Sequence, residues 1–200
     1  MSSDSPESKV ETGTASTPIR ATRPSGDIEA DREILQALED GDRRRALALC
    51  ARHHGASIGR LCMALLGSQS EAEDAVQETL LAAHSAFQGF RGDGSLRAWL
   101  YAIARRRCAR RLEQRKVREE GADAQAPATS TEEIVETRRR AEQARALLAG
   151  MRPTEREALL MRYLGELSFR EVGEACGIDE AAARKRVSRA LARLREAIEK

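Results

Sequence analysis

Three clusters of charge are the residues most able to do chemistry. From Arg184 to Arg195 there are six basic residues and no acid. The stretch before them, Ser168 to Cys176, then Gly177-Ile178, then a helix starting at Asp179, has the grammar of a helix-turn-helix. Gly173 allows close helix approach, Gly177 supplies the turn, and Val172, Ile178, Val187 and Leu191 close a small core. A recognition helix enters the major groove with its first turns on base edges and its flanks on phosphates. Arg184, Lys185, Arg186 and Arg189 are therefore the candidate DNA contacts. A solvated helix face explains many basic runs, but the turn grammar beside this one favours DNA.

The second cluster spans residues 97 to 118, where Arg97, Arg105, Arg106, Arg107, Arg110, Arg111, Arg115, Lys116 and Arg118 face the single acid Glu113. Their mutual repulsion calls for a polyanion along the helix. Trp99 and Tyr101 stand at its start, where aromatics beside arginines can stack unpaired bases, although Trp99 also fits a core position. In the turn just before, Arg91, Asp93 and Ser95 offer donors and acceptors to a flipped base. The third cluster has the opposite sign. Leu61 to Phe90 is thirty residues without Lys or Arg, but with Glu71, Glu73, Asp74 and Glu78. Asp74, Gln77 and Glu78 fall at i, i+3 and i+4, an exposed ridge opposite the Val76/Leu80 stripe. Such a ridge repels nucleic acid and suits a basic protein surface. Chance surface charge explains it equally well from the residues alone.

The elements that must hold these clusters are helices. Aromatic residues are 3% of the chain, no alternating strand pattern occurs, and Ala, Leu, Arg and Glu dominate, so the expected fold is all-α. Residues 1 to 30, with six Ser, four Thr and three Pro, bury too little to order and read as a disordered tail. A first domain, 31 to 118, begins with the Ile34/Leu35/Leu38 stripe and continues through Leu47, Leu49, Cys50, Ile58, Leu61, Cys62, Leu65 and Leu66 until Gly67. Ser70 with Glu73 makes a capping box for the next helix, and Ser95 caps the long basic one. Residues 119 to 133 carry five acids and no base around Gly121 and Pro127, the composition of a flexible linker. A second domain, 134 to 200, holds a helix near Ile134 to Ala149, another from Pro153-Thr154, and the helix-turn-helix.

Composition also excludes. No run reaches the roughly 18 to 20 apolar residues of a membrane span, and the N-terminus lacks signal-peptide order, so a soluble cytoplasmic protein is expected. The four cysteines are single and widely spaced, which fits reduced thiols. Cys50, His53, His54 and Cys62 supply four metal-ligating types within thirteen residues, but their spacing matches no common structural site and no metal or cofactor is expected. No phosphate loop or nucleophile-base pattern supports an enzyme.

Two stretches carry a family resemblance. Leu65-Leu66-Gly67-Ser68 through Glu71-Ala72-Glu73-Asp74-Ala75-Val76-Gln77-Glu78-Thr79 to Phe90-Arg91-Gly92-Asp93-Gly94-Ser95-Leu96-Arg97-Ala98-Trp99-Leu100-Tyr101-Ala102-Ile103-Ala104-Arg105 resembles region two of the bacterial RNA polymerase sigma factors of the extracytoplasmic-function (ECF) class. Residues 152 to 195 resemble region four of the same family. The resemblance implies that Asp74, Gln77 and Glu78 dock on the clamp coiled coil of core RNA polymerase. It implies that Arg91, Asp93, Ser95, Arg97 and Trp99 engage the melted downstream (−10) promoter element, with Arg105, Arg106 and the rest of the basic helix on its backbone. Region four would grip the upstream (−35) element as duplex and touch the polymerase flap, while the acidic linker threads the RNA channels. Anti-sigma partners are common in the family, though nothing in the sequence identifies one. The chain departs from the family pattern at Glu180-Ala181-Ala182-Ala183, which opens the recognition helix. Glu180 either accepts from a cytosine amino group or complements the helix N-terminus, and the sequence does not choose. The rival function is a DNA-binding regulator that acts without polymerase. It accounts for the helix-turn-helix but leaves the acidic ridge and the first basic helix without a role.

Overall fold

The computed structural model describes residues 25–90, 92, 94–119 and 143–199, and among them there is no strand. The helices are α1 (Ser25–Glu39), α2 (Arg43–Leu66), α3 (Gln69–Ala86), α4 (Leu96–Glu119), α5 (residues 143–149), α6 (Pro153–Tyr163), α7 (Phe169–Cys176) and α8 (Glu180–Ile198). A 3-10 turn, Phe87–Gly89, follows α3.

Local chemistry sets the boundaries. Asp42 caps α2, its side chain accepting from Arg45 N at 2.9 Å, and Gly67 closes that helix in the left-handed conformation. Residues 43 to 66 form one uninterrupted helix that buries Leu49, Cys50, Ile58, Leu61, Cys62, Leu65 and Leu66. The cap of α3 is Ser68 rather than Ser70. Ser68 has the extended backbone an N-cap needs and accepts from Glu71 N, whereas Ser70 already lies inside the helix. Ser95 caps α4, its hydroxyl accepting from Ala98 N at 3.2 Å. The first helix starts at Ser25, inside the stretch assigned to the tail, and its Ala30, Ile34 and Ala37 are buried against α2. Residues 1–24 and the linker beyond Glu119 lie outside the described residues.

Helices α1 to α4 form one bundle, and α6 to α8 form a compact three-helix unit. In that unit Ser168 and Glu171 make a complete capping box, and Asp179 caps α8 by accepting from Ala182 N at 2.6 Å. Gly173 is required there, because a Cβ would stand 2.7 Å from the Ile178 carbonyl oxygen. Val172 and Val187 are buried between the two helices, with Ile178 and Leu191 packed at the edge.

The two units pack on each other through α4 and α7. Tyr101 of α4 is fully buried. The turn at Gly165 lies so close to it that a Cβ there would stand 2.5 Å from the Tyr101 ring and 2.6 Å from the Met161 carbonyl oxygen. Tyr101 therefore belongs to the core and is not a base-stacking platform.

Candidate nucleic-acid and protein interfaces

The basic face of α8 is mostly exposed. Arg184, Lys185 and Arg189 are exposed and Arg186 is half-buried. Arg184 makes an ion pair with Glu180 one turn earlier at 2.7 Å, and its guanidinium lies 4.5 Å from the centre of the Phe169 ring. Glu180 thus has a partner on its own helix. Arg193, further along, pairs instead with the buried Glu155 of α6 at 3.0 Å, which ties the helix to its own core. The exposed cations sit in the first three turns, where a helix lying in a major groove reaches bases and phosphates.

Asp74 and Gln77 of α3 are exposed and Glu78 is half-buried, so the ridge expected from spacing exists as a surface. Its charge is partly answered from α4. Arg111 donates to Glu78 Oε1 at 2.5 Å and to Asp74 Oδ2 at 3.5 Å, and Arg115 reaches Glu71 at 3.3 Å and the Leu66 carbonyl at 3.1 Å. A shallow groove of about 460 Å³ runs between the helices, lined by Glu71, Glu78, Arg107, Arg110, Arg111 and Arg115 among others. Part of the charge that seemed to demand a polyanion is neutralised inside the molecule. Arg106 and Arg110 stay exposed.

The turn before α4 is the third surface. Arg91 and Asp93 lie outside the described residues. Trp99 is half-buried against Phe90 and Phe87, with ring centres 4.9 and 5.9 Å away, so it is core on one side. Its other side borders a cleft of about 550 Å³ shared with Phe90, Ser95 and Arg106. Glu174 of α7 also lines that cleft.

The structure places Ser95, Arg97 and Arg105 against the second unit, not solvent. The Ser95 hydroxyl donates to Glu171 at 2.7 Å, and its backbone N–H donates to Glu174 at 3.0 Å. Arg97 is buried and donates to the Gly165 carbonyl, and Arg105 pairs with Glu157 at 3.1 Å. Glu157, Glu171 and Glu174 thus stand where a nucleic-acid anion would have to come. Sequence reading missed these three acids. The signal available was the capping-box spacing of Ser168 and Glu171, which explains Glu171 locally but says nothing of its second partner.

The four metal-ligating types in α2 are engaged separately. His54 is buried and bonds Asp31 at 3.0 Å, while His53 lies beside Arg52 and 3.5 Å from Glu33. The buried Cys62 thiol shares a hydrogen bond with Cys108 of α4, which draws Cys62 down and pushes Cys108 up. Burial, with a smaller contribution from Asp31, pushes the Cys50 thiol up to about 12. Among the described residues no three His, Cys, Asp or Glu side chains converge as a metal site. No helix among them is long and apolar enough to cross a membrane.

Residues 50–118 match the Sigma-70 region 2 family, and residues 141–194 match the Sigma-70, region 4 family. The ECF RNA polymerase sigma factor EcfG of Rhodopseudomonas palustris is 30% identical over 139 residues, covering 69% of this chain and 77% of that protein. The ECF RNA polymerase sigma factor SigG of Mycobacterium tuberculosis is 51% identical over 57 residues, 28% of this chain and only 15% of SigG. The structure of CnrH in complex with the cytosolic domain of CnrY superposes with a TM-score of 0.67 at 22% identity, covering 85% of this chain and 97% of that one.

Proposed function

The chain belongs to the ECF class of RNA polymerase sigma factors, and from that membership we propose how its surfaces share the work of promoter-directed initiation. The ridge of Asp74, Gln77 and Glu78 docks on the clamp coiled coil of core RNA polymerase. The turn before α4, with Arg91, Asp93, Ser95, Arg97 and Trp99, receives the melted −10 element, and Arg105 and Arg106 lie along its backbone. The first turns of α8 read the −35 element as duplex through Arg184, Lys185, Arg186 and Arg189, with Glu180 bound to Arg184. The work takes place in the cytoplasm, where polymerase and promoter meet.

The observation that carries this reading is that an acidic ridge and a basic recognition helix are exposed on two different units, in the order of the family. A regulator acting on DNA alone has no use for the ridge. The contacts of Ser95, Arg97 and Arg105 with the second unit add a condition. These three residues reach promoter DNA only after α4 parts from α6, the Gly165 turn and α7, so binding to core must separate the units. CnrH was captured with the cytosolic domain of CnrY. By likeness to it, a protein that holds the packed form of this chain would keep it off promoters.

The test is run-off transcription with core enzyme on genomic DNA, alongside duplex binding by the free chain. New start points that require the chain, with weak duplex binding in the absence of core, support the proposal. Tight sequence-specific binding by the free chain, or no redirected initiation, overturns it.

A further inference from the structure

Phe169 opens α7 and is half-buried, with two guanidinium groups near its ring. Arg162 lies 4.9 Å from the ring centre and Arg184 4.5 Å. The two cations differ in freedom. Arg162 is buried, and its side chain donates to the Leu167 carbonyl at 3.0 Å, so it belongs to the frame of the α6–α7 turn. Arg184 is 60% exposed, and a long exposed arginine on a helix surface would otherwise sample many rotamers. Here two restraints act on it: the Phe169 ring and the carboxylate of Glu180 at 2.7 Å.

We propose that Phe169 is a positioning residue for base recognition, holding the Arg184 guanidinium in the orientation with which it reads a guanine of the upstream duplex. The inference rests on the DNA-reading role given to α8 above and adds a residue to it. A guanidinium held over an aromatic ring keeps its N–H groups for hydrogen bonds, and Glu180 engages only the Nη2 group of Arg184. Bidentate recognition of guanine O6 and N7 needs those groups, in one plane and one direction. An arginine already held that way loses less freedom on binding, and the wrong base gains nothing from the arrangement. The ring itself carries no charge and touches no phosphate. Its contribution must therefore appear in sequence preference and not in salt dependence.

The experiment uses holoenzyme assembled from core polymerase and the full-length chain, with a library of promoter duplexes randomised across the upstream element. Preference profiles and salt slopes are measured for the parent, Phe169→Leu, Phe169→Tyr, Arg184→Ala and the double variant Phe169→Leu/Arg184→Ala. Arg184→Ala should flatten the preference at one base pair. Phe169→Leu should weaken the preference at that same position by about two- to fivefold, the range of an exposed cation–π contact, with the salt slope unchanged. Phe169→Tyr should retain the parental profile, and the double variant should match Arg184→Ala alone. Should the Leu variant fail to fold by circular dichroism, Phe169→Met takes its place. A uniform loss across all sequences, an unchanged profile in Phe169→Leu, or an added loss in the double variant overturns the inference. If the parent holoenzyme initiates but shows no upstream preference, the DNA-reading role of α8 fails, and the inference with it. A parental preference that survives Phe169→Leu sinks the positioning role alone.

Discussion

Helices α4 and α8 are both arginine-rich, and they use their arginines in opposite ways. Along α4, Arg97 is buried on a backbone carbonyl, Arg105 pairs with Glu157, Arg111 bridges Asp74 and Glu78, and Arg115 reaches Glu71. Along α8, Arg184, Lys185 and Arg189 face outward, and Glu180 and Phe169, the partners of Arg184, lie within its own helix-turn-helix. The difference lies in what packs beside each helix. α3 and the second unit bring acids to α4, whereas the neighbours of α8 leave its first turns open. A basic run in a sequence thus measures available charge, and the packing decides whether that charge is left for a ligand.

The strongest way to break this comparison is through the acids that answer α4. The triple change Asp74→Lys, Gln77→Lys and Glu78→Lys should abolish co-elution with core polymerase, a loss of at least about a hundredfold if each position acts as an interface contact worth ~1 kcal/mol or more. The fold should survive, because Asp74 and Glu78 keep 61% and 44% of their side chains exposed and such pairs contribute little to stability. Unchanged transcription by a folded triple variant would remove the docking assignment.

Next in size is the junction of the two units. Glu171→Gln with Glu174→Gln keeps side-chain volume and leaves a residue that still serves the capping box, but weakens both bonds to Ser95. Each charge-assisted bond is worth about 1.5–3 kcal/mol, so the balance between packed and parted units should shift tenfold or more toward parted. Small-angle scattering of the free chain should register a larger radius, and promoter binding by the free chain should rise. A radius equal to that of the parent would mean that apolar packing at Tyr101 and Gly165, not the acids, holds the units together.

How far the sequence exposed all this depends on the reach of each interaction. Gly173, Asp179 and the Ser168–Glu171 box act within a few residues, so the helix-turn-helix could be read residue by residue. The ridge could be read too, since Asp74, Gln77 and Glu78 share a face by helical spacing alone. The partners of α4 could not. Arg111 meets Glu78 across 33 residues, Arg105 meets Glu157 across 52, and Ser95 meets Glu171 across 76. No local pattern encodes those distances. The same limit explains Tyr101, whose place beside Trp99 fits a stacking platform in the sequence, while the Gly165 turn, distant along the chain, packs over it.

A smaller effect comes from a buried thiol in α2. Burial pushes the Cys50 thiol from an ordinary thiol value of 9.0 up to about 12 in the first unit. The folded form therefore keeps a proton that the unfolded form loses. The stabilisation is complete below pH 9.0 and disappears as pH rises from 9.0 toward 12, by up to about 1.4 kcal/mol per pH unit. Denaturant titrations at pH 8 and 10 should show this slope in the parent and a shallower one in Cys50→Ala. Equal slopes would place the alkaline sensitivity elsewhere.

The smallest expected effect is also the most direct measure of the difference between the helices. Neutralising a phosphate releases a condensed counterion, so each lost contact lowers the salt slope of binding by roughly 0.9, which is about a three- to fourfold change between 50 and 200 mM salt. Arg189→Ala on α8 and Arg106→Ala on α4 are exposed and should each give that decrement in holoenzyme. Arg111→Ala should give none, because its charge is already matched by Glu78 and Asp74, and should instead cost at most ~1 kcal/mol of stability. If Arg111→Ala lowers the slope as much as Arg189→Ala does, the acids of α3 let go of it when DNA arrives, and the ridge and the basic groove must exchange partners during initiation.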